Sequence, residues 1–171
     1  INAPENHVYD GKDHQWIPEV LDKENQPLAA GTDYTVTYTD DSGEVKDDFR
    51  NVTGTIHVTI SGKGNYTGSV TREYEITKRS VKLTSETDEK EFDGIPLTRP
   101  VVKIEGDGFV DDEVSDVKAI GTVTSVEESP VANKITYVTH EAFKYDNYNI
   151  ELNEGTLTIT PKSIIPDGPH T

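Results

Sequence analysis

Tyr34-Thr35-Val36-Thr37-Tyr38-Thr39 alternates apolar and polar side chains without a break. Period two puts one set on one face of a pleated strand and the other set on the opposite face. The pattern recurs outward along the chain. Ile56-His57-Val58-Thr59-Ile60 alternates, and so does Val70-Thr71-Arg72-Glu73-Tyr74-Glu75-Ile76-Thr77. Farther on come Val81 to Thr84, Val102 to Glu105, Ile135 to Thr139, Ile150 to Leu152 and Leu157 to Thr160. These runs are filled by β-branched and aromatic residues, which suit a half-buried pleated surface. Turn formers separate them: Asp41-Ser42-Gly43, Ser61-Gly62-Lys63-Gly64, Gly106-Asp107-Gly108 and Asn153-Glu154-Gly155. No stretch of ten residues keeps an i, i+3, i+4, i+7 apolar pattern. The best helical candidates, His140-Glu141-Ala142-Phe143 and Asp111 to Val117, are one or two turns long.

This patterning decides how the composition is read. Only 32% of the 171 residues are hydrophobic and 28% are charged, which leans toward disorder. Small β domains with one solvated sheet face explain the same numbers with an ordered chain. With 32 acidic against 16 basic side chains the net charge is −16, which argues against nucleic acid as a partner. It also argues against docking on an anionic membrane surface. Without cysteine there is no disulfide, thiolate zinc site, iron–sulfur cluster or cysteine nucleophile. Apolar runs of two or three residues are too short to span a bilayer, so no membrane insertion is expected. An intact reading frame begins with Met. A chain that starts at Ile1 and contains none reads as a fragment or processed piece.

The chain repeats itself. Tyr9-Asp10-Gly11 returns 83 positions later as Phe92-Asp93-Gly94. Tyr74 to Ser80 returns at the same offset as Leu157 to Ser163. Gly64-Asn65-Tyr66 is answered by Asp146-Asn147-Tyr148, 82 positions on. Three landmarks in one order at nearly one spacing indicate two tandem modules. The boundaries expected are 1–79 and 80–163, with 164–171 as a linker to a following module. Residues 1–79 carry 14 acidic and 8 basic side chains, and 80–171 carry 18 and 8, so both copies are acidic. In the shared aromatic-Asp-Gly motif, the aromatic anchors a strand, Asp forms an Asx-turn and Gly supplies positive φ.

These landmarks resemble repeats of large Gram-positive bacterial cell-surface proteins. The first copy carries Tyr9-Asp10-Gly11, Gly31-Thr32-Asp33-Tyr34, the run Gly54 to Gly68, and Tyr74-Glu75-Ile76-Thr77. It is similar to YDG-type modules. The second copy carries Lys90 to Leu97, Gly106-Asp107-Gly108-Phe109, Asp146 to Ile150 and Gly155 to Ile159. It is similar to the MBG-type modules of mucus-binding-like adhesins. The resemblance implies an extracellular, wall-attached or secreted protein whose shared motifs are structural. Neighbouring repeats of the same chain are then the immediate partners, with host mucin or glycans a further possibility. The first copy departs by an insert, Gly43 to Arg50, after Tyr38.

Several side chains invite a binding or chemical role beside this structural one. Asp107, Asp111, Asp112 and Glu113 cluster in one loop and could offer oxygen ligands to calcium. They lack the EF-hand spacing, and a solvated acidic loop accounts for them. Trp16 is the only tryptophan; a core or rim position competes with a sugar-stacking role. A Lys–Asn amide crosslink, for example between Lys12 and Asn65, would replace missing disulfides. His57 belongs on the outer face of its strand. No metal-protease, nucleophile-elbow or phosphate-loop motif is present. The expectation is therefore two small antiparallel β domains, each an Ig-like sandwich, with a β-grasp-like form bearing a vestigial helix as the alternative. The function expected is a non-enzymatic stalk or adhesive repeat, monomeric, without cofactor or catalytic residues. The alternatives are direct glycan binding and an accessory domain of a glycan-processing enzyme.

Overall fold

The computed structural model describes residues 1–165 and is all-β. The end of the expected linker, 166–171, lies outside the described residues. The chain divides into two compact units. The first comprises Ile1–Arg79 together with Tyr145–Tyr148, and the second Ser80–Lys144 with the chain from Asn149 onward. The short segment Tyr145–Tyr148, which the repeat spacing assigns to the second module, thus belongs to the first unit.

In the first unit, β1 (His7–Val8), β2 (Tyr34–Thr39), β3 (Thr55–Gly62) and β4 (Ser69–Thr77) form one sheet in the order β1-β4-β3-β2. The alternation read from sequence sets its two faces. Ile56, Val58 and Ile60 of β3 and Tyr74 and Ile76 of β4 are buried with Tyr9, Val20, Tyr34 and Phe49. Two rows of the outer face are built of hydroxyls. Thr37, Thr59 and Thr71 stand in one row across three strands, and Thr35, Ser61 and Ser69 in the next. The outer margin of β2 is occupied by the chain's own loops. The Tyr34 carbonyl accepts from the Gly31 amide at 2.8 Å and the Tyr38 carbonyl from the Lys46 amide at 2.9 Å.

The second unit contains β5 (Arg79–Ser85), β6 (Asp88–Glu91), β7 (Leu97–Thr98), β8 (Val102–Gly106), β9 (Val114–Ala119), β10 (Thr122–Val123), β11 (Val131–Ala132), β12 (Ile135–Thr139), β13 (Tyr148–Asn153) and β14 (Thr156–Thr160). They pair as β11-β14-β6, β13-β5-β8, β12-β9 and β10-β7. The helical candidates resolve otherwise: Asp111 to Glu113 is a turn leading into β9, and His140 to Phe143 is a turn. The only helical element among the described residues is a 3-10 turn at Tyr145–Asn147, so the helix-bearing alternative finds no support.

Each unit contains a parallel strand pair, a feature that alternation cannot reveal. His7 faces Ile76 and Val8 faces Thr77; Lys90 faces Ile159 and Glu91 faces Thr160. Every partner in the second pair lies 83 positions after its counterpart. The correspondence reaches single bonds. The Tyr9 amide donates to the Thr77 carbonyl at 2.8 Å and the Phe92 amide to the Thr160 carbonyl at 2.9 Å. Asp10 accepts from the Lys12 amide and Asp93 from the Ile95 amide, both at 2.9 Å. Gly11 and Gly94 both have φ 78°.

A buried asparagine knits the second unit together. Asn133 is 0% exposed. Its Oδ1 accepts from the Gly121 amide at 3.0 Å, and its Nδ2 donates to the carbonyls of Glu86 at 3.1 Å and Arg99 at 2.9 Å. Its backbone amide donates to the Gly155 carbonyl at 2.8 Å, and its carbonyl accepts from the Ser85 hydroxyl at 2.6 Å. Ser85 Oγ in turn accepts from the Gly155 amide at 2.9 Å. Backbone groups that would otherwise be buried unpaired are thereby satisfied. The chains approach so closely that only glycine fits. A Cβ on Gly155 would lie 2.3 Å from the Glu86 carbonyl oxygen, and one on Gly121 would lie 2.7 Å from Asn133 Cα and Oδ1.

Two substitutions test this arrangement by urea unfolding. Asn133→Ala orphans one amide and two carbonyls and is expected to cost about 3 kcal/mol. Gly155→Ala is expected to cost a similar amount through its backbone clash, about 3 kcal/mol. Gly94→Ala meets no atom within 4 Å and carries only its positive-φ strain, about 1 kcal/mol. Equal losses for Gly155→Ala and Gly94→Ala would refute the close-approach account.

Candidate functional site

The turns preceding and following the first sheet gather most of the distinctive side chains. Asp10 closes its Asx-turn and also meets His14 Nε2 at 2.7 Å. His14 stacks on His7 with centroids 4.1 Å apart. Burial disfavours the ionised form of Asp10. The Lys12 amide, the His14 ring and the charges of both residues outweigh it and hold the carboxyl below its usual range.

Trp16 lies in the same segment. Its side chain is half-buried against the cluster of Val20, Tyr34 and Ile60. Its backbone is fastened on both sides. The Trp16 amide donates to Tyr74 Oη at 3.0 Å, while the Tyr38 hydroxyl donates to the Trp16 carbonyl at 2.7 Å. The Tyr74 hydroxyl in turn donates to the His14 carbonyl at 2.7 Å. Two phenols thus hold the Trp16 strap over the open edge of the core, and the indole contributes to packing.

Beside that cluster opens a cleft of about 660 Å³, within the size range of small-ligand pockets. Val20, Leu28, Ile60 and Val70 form its apolar floor, and Tyr66 stands at its wall. Asp22, Glu24 and Asp33 reach its rim with Lys23. Asp22 is fixed by accepting from the Glu24 and Gln26 amides at 2.8 and 2.9 Å, and Asp33 by accepting from the Ala29 amide at 2.8 Å. Sequence reasoning placed Tyr66 at the end of the core but missed the cleft. The loop from Leu21 to Pro27 that walls it shows no alternation, and only the left-handed Asn25, φ 62°, hints at a tight reversal.

Asp107 donates its amide to the Ser80 carbonyl, Asp111 and Asp112 are exposed, and Glu113 is buried at 3% exposure. Among the described residues no three imidazole or carboxylate groups converge as a metal ion would need. Lys12 and Asn65 are both exposed on turns, outside the buried setting that a Lys–Asn crosslink uses. Among the described residues no helix is long and apolar enough to cross a membrane.

No protein-family model, no curated protein and no solved structure matches the chain. The repetition inside the chain is therefore its own nearest point of comparison. Within it, the shared aromatic-Asp-Gly turn differs between the copies in exposure. Tyr9 is 2% exposed, whereas its counterpart Phe92 is 41% exposed, and Ile95 beside it is 62% exposed. The Tyr9 ring is covered by Tyr148, centroids 5.6 Å apart in an edge-to-face contact. Tyr148 enters the first unit behind Asn147. The Asn147 Oδ1 accepts from the Val52 amide at 2.8 Å, and its Nδ2 donates to Asn51 Oδ1 at 2.9 Å.

His57 gives the outer sheet face a titratable centre. Its Nε2 meets Asp41 Oδ1 at 2.8 Å and its Nδ1 meets Glu73 Oε1 at 3.2 Å. The hydrogen bond to Asp41 raises its pKa above the ordinary 6.5; desolvation opposes this, and the charges of Glu73 and Asp41 reinforce it. A raised pKa means that the folded state binds the proton more tightly. The stabilisation is complete below pH 6.5 and is lost as pH rises through the raised value. The melting-temperature difference between the wild type and His57→Gln is expected to shrink from about pH 6 to about pH 8.5. A constant difference would show that the clamp carries no charge-dependent stability.

Proposed function

We propose that the chain is a pair of non-enzymatic modules of a bacterial cell-surface protein, of the YDG/MBG-type repeats that its motifs resemble. They act as a stalk or adhesive spacer. The observation that carries this reading is the reuse of one internal geometry at an offset of 83, from strand pairing down to the Asx-turn bond. A unit that closes on itself in this way can be added to an array without redesign, and arrays gain length by repetition. The absence of cysteine from the chain suits a secreted protein that folds without disulfides. The distinctive groups support the same view: Trp16 and Tyr74 lock a strap, Asp10 and Asp93 shape turns, and Asn133 satisfies backbone.

A glycan array with the full chain, together with its Trp16→Ala and Tyr66→Ala variants, tests the proposal. A spacer gives no signal above background on mucin-type glycans, for the wild type and both variants alike. A specific signal lost in either variant would move the function to direct host-glycan binding.

A further inference from the structure

The unequal fate of Tyr9 and Phe92 identifies an incomplete contact. Both residues open the same Asp-Gly turn, donate the same amide bond to the last strand of their unit, and stand 83 positions apart. In the first unit an Asn-Tyr pair, Asn147-Tyr148, covers the aromatic ring. In the second unit Phe92 and Ile95 remain exposed side by side on one turn. The chain also carries an Asn-Tyr pair in the complementary condition. Asn65-Tyr66 sits at the repeat position of Asn147-Tyr148, yet Asn65 is exposed and Tyr66 only half-buried, where Asn147 and Tyr148 are 1% and 3% exposed.

We propose that the Phe92–Ile95 face is a docking surface for the Asn65-Tyr66 turn of a second copy of this chain. The contact would reproduce between chains the edge-to-face cover that Tyr148 gives Tyr9. The occupant is argued from that precedent inside the molecule. The face and the turn are formed by different residues, so each molecule brings one of each to the contact. The inference rests on the internal repetition alone and is independent of where the protein works or whether it binds glycan.

Sedimentation of the full chain at high concentration and moderate salt reads the association directly. Concentration-dependent growth beyond the monomer is expected, reduced about tenfold or more by Phe92→Ala and by Tyr66→Ala. Phe92→Tyr, which installs the residue found at the first copy's equivalent position, should retain it. Ile95→Lys, on the exposed turn, is a second variant of the Phe92 side. Asn65→Ala serves the opposite side in case Tyr66→Ala disturbs the fold, which an amide NMR spectrum checks. The decisive sample is a mixture. Phe92→Ala keeps only the turn and Tyr66→Ala keeps only the face, so each alone should stay monomeric and the two together should form a dimer that grows no further. A wild type that remains monomeric throughout overturns the inference. So does Phe92→Ala associating like the wild type, or a mixture that fails to pair.

Discussion

Each unit is closed by a parallel pairing between an early segment, β1 or β6, and the strand that ends it. β4 and β14 receive this segment on one side and an antiparallel neighbour on the other, which makes the last strand of each unit internal to its sheet. The partners of each such pairing meet only after nearly seventy intervening residues have been folded. The loop-closure entropy of that meeting is offset only when the whole apolar face beneath is in place. Turn chemistry fixes where it ends: an aromatic amide makes the final ladder bond, and Asp-Gly then turns the chain away.

Much of this was legible beforehand. Strict alternation in β2, β3 and β4 sorted inner from outer residues correctly, because one face of that sheet is solvated and the other packed. The offset of 83 was visible because turn and pairing geometry tolerate few residue types at each landmark. Parallel pairing was not visible, since period two is the same in either direction. Asn133 was not visible either. A lone Asn in Val131-Ala132-Asn133-Lys134 reads as a turn residue, and its role depends on carbonyls contributed from Glu86 and Arg99, far away in sequence. Gly121 and Gly155 held a partial clue, because neither has the positive φ that usually explains a glycine in a loop.

Trp16 and the cleft show how packing assigns roles that composition leaves open. A single tryptophan invites a binding role, but both of its backbone polar groups are held by phenols and its ring rests on the Val20 cluster. The neighbouring cleft arises where the Leu21 to Pro27 loop stands off from the turn after β3 and leaves apolar floor uncovered. Acidic side chains occur in loops and strands alike, while two successive rows of the outer face of the first sheet hold only uncharged hydroxyls.

The occupied margin of β2 has a consequence for crowded surroundings. An exposed strand edge is a template on which another chain can add a strand, and from there aggregation can spread. Here the outward carbonyls at both ends of β2 are already bonded to Gly31 and Lys46. At the opposite margin, β1 is only two residues long. Many such sheets could be packed close together, or be briefly sheared, without zipping edge to edge. Strand addition to this sheet is thereby hindered by backbone bonds at both ends of β2 and by the shortness of β1.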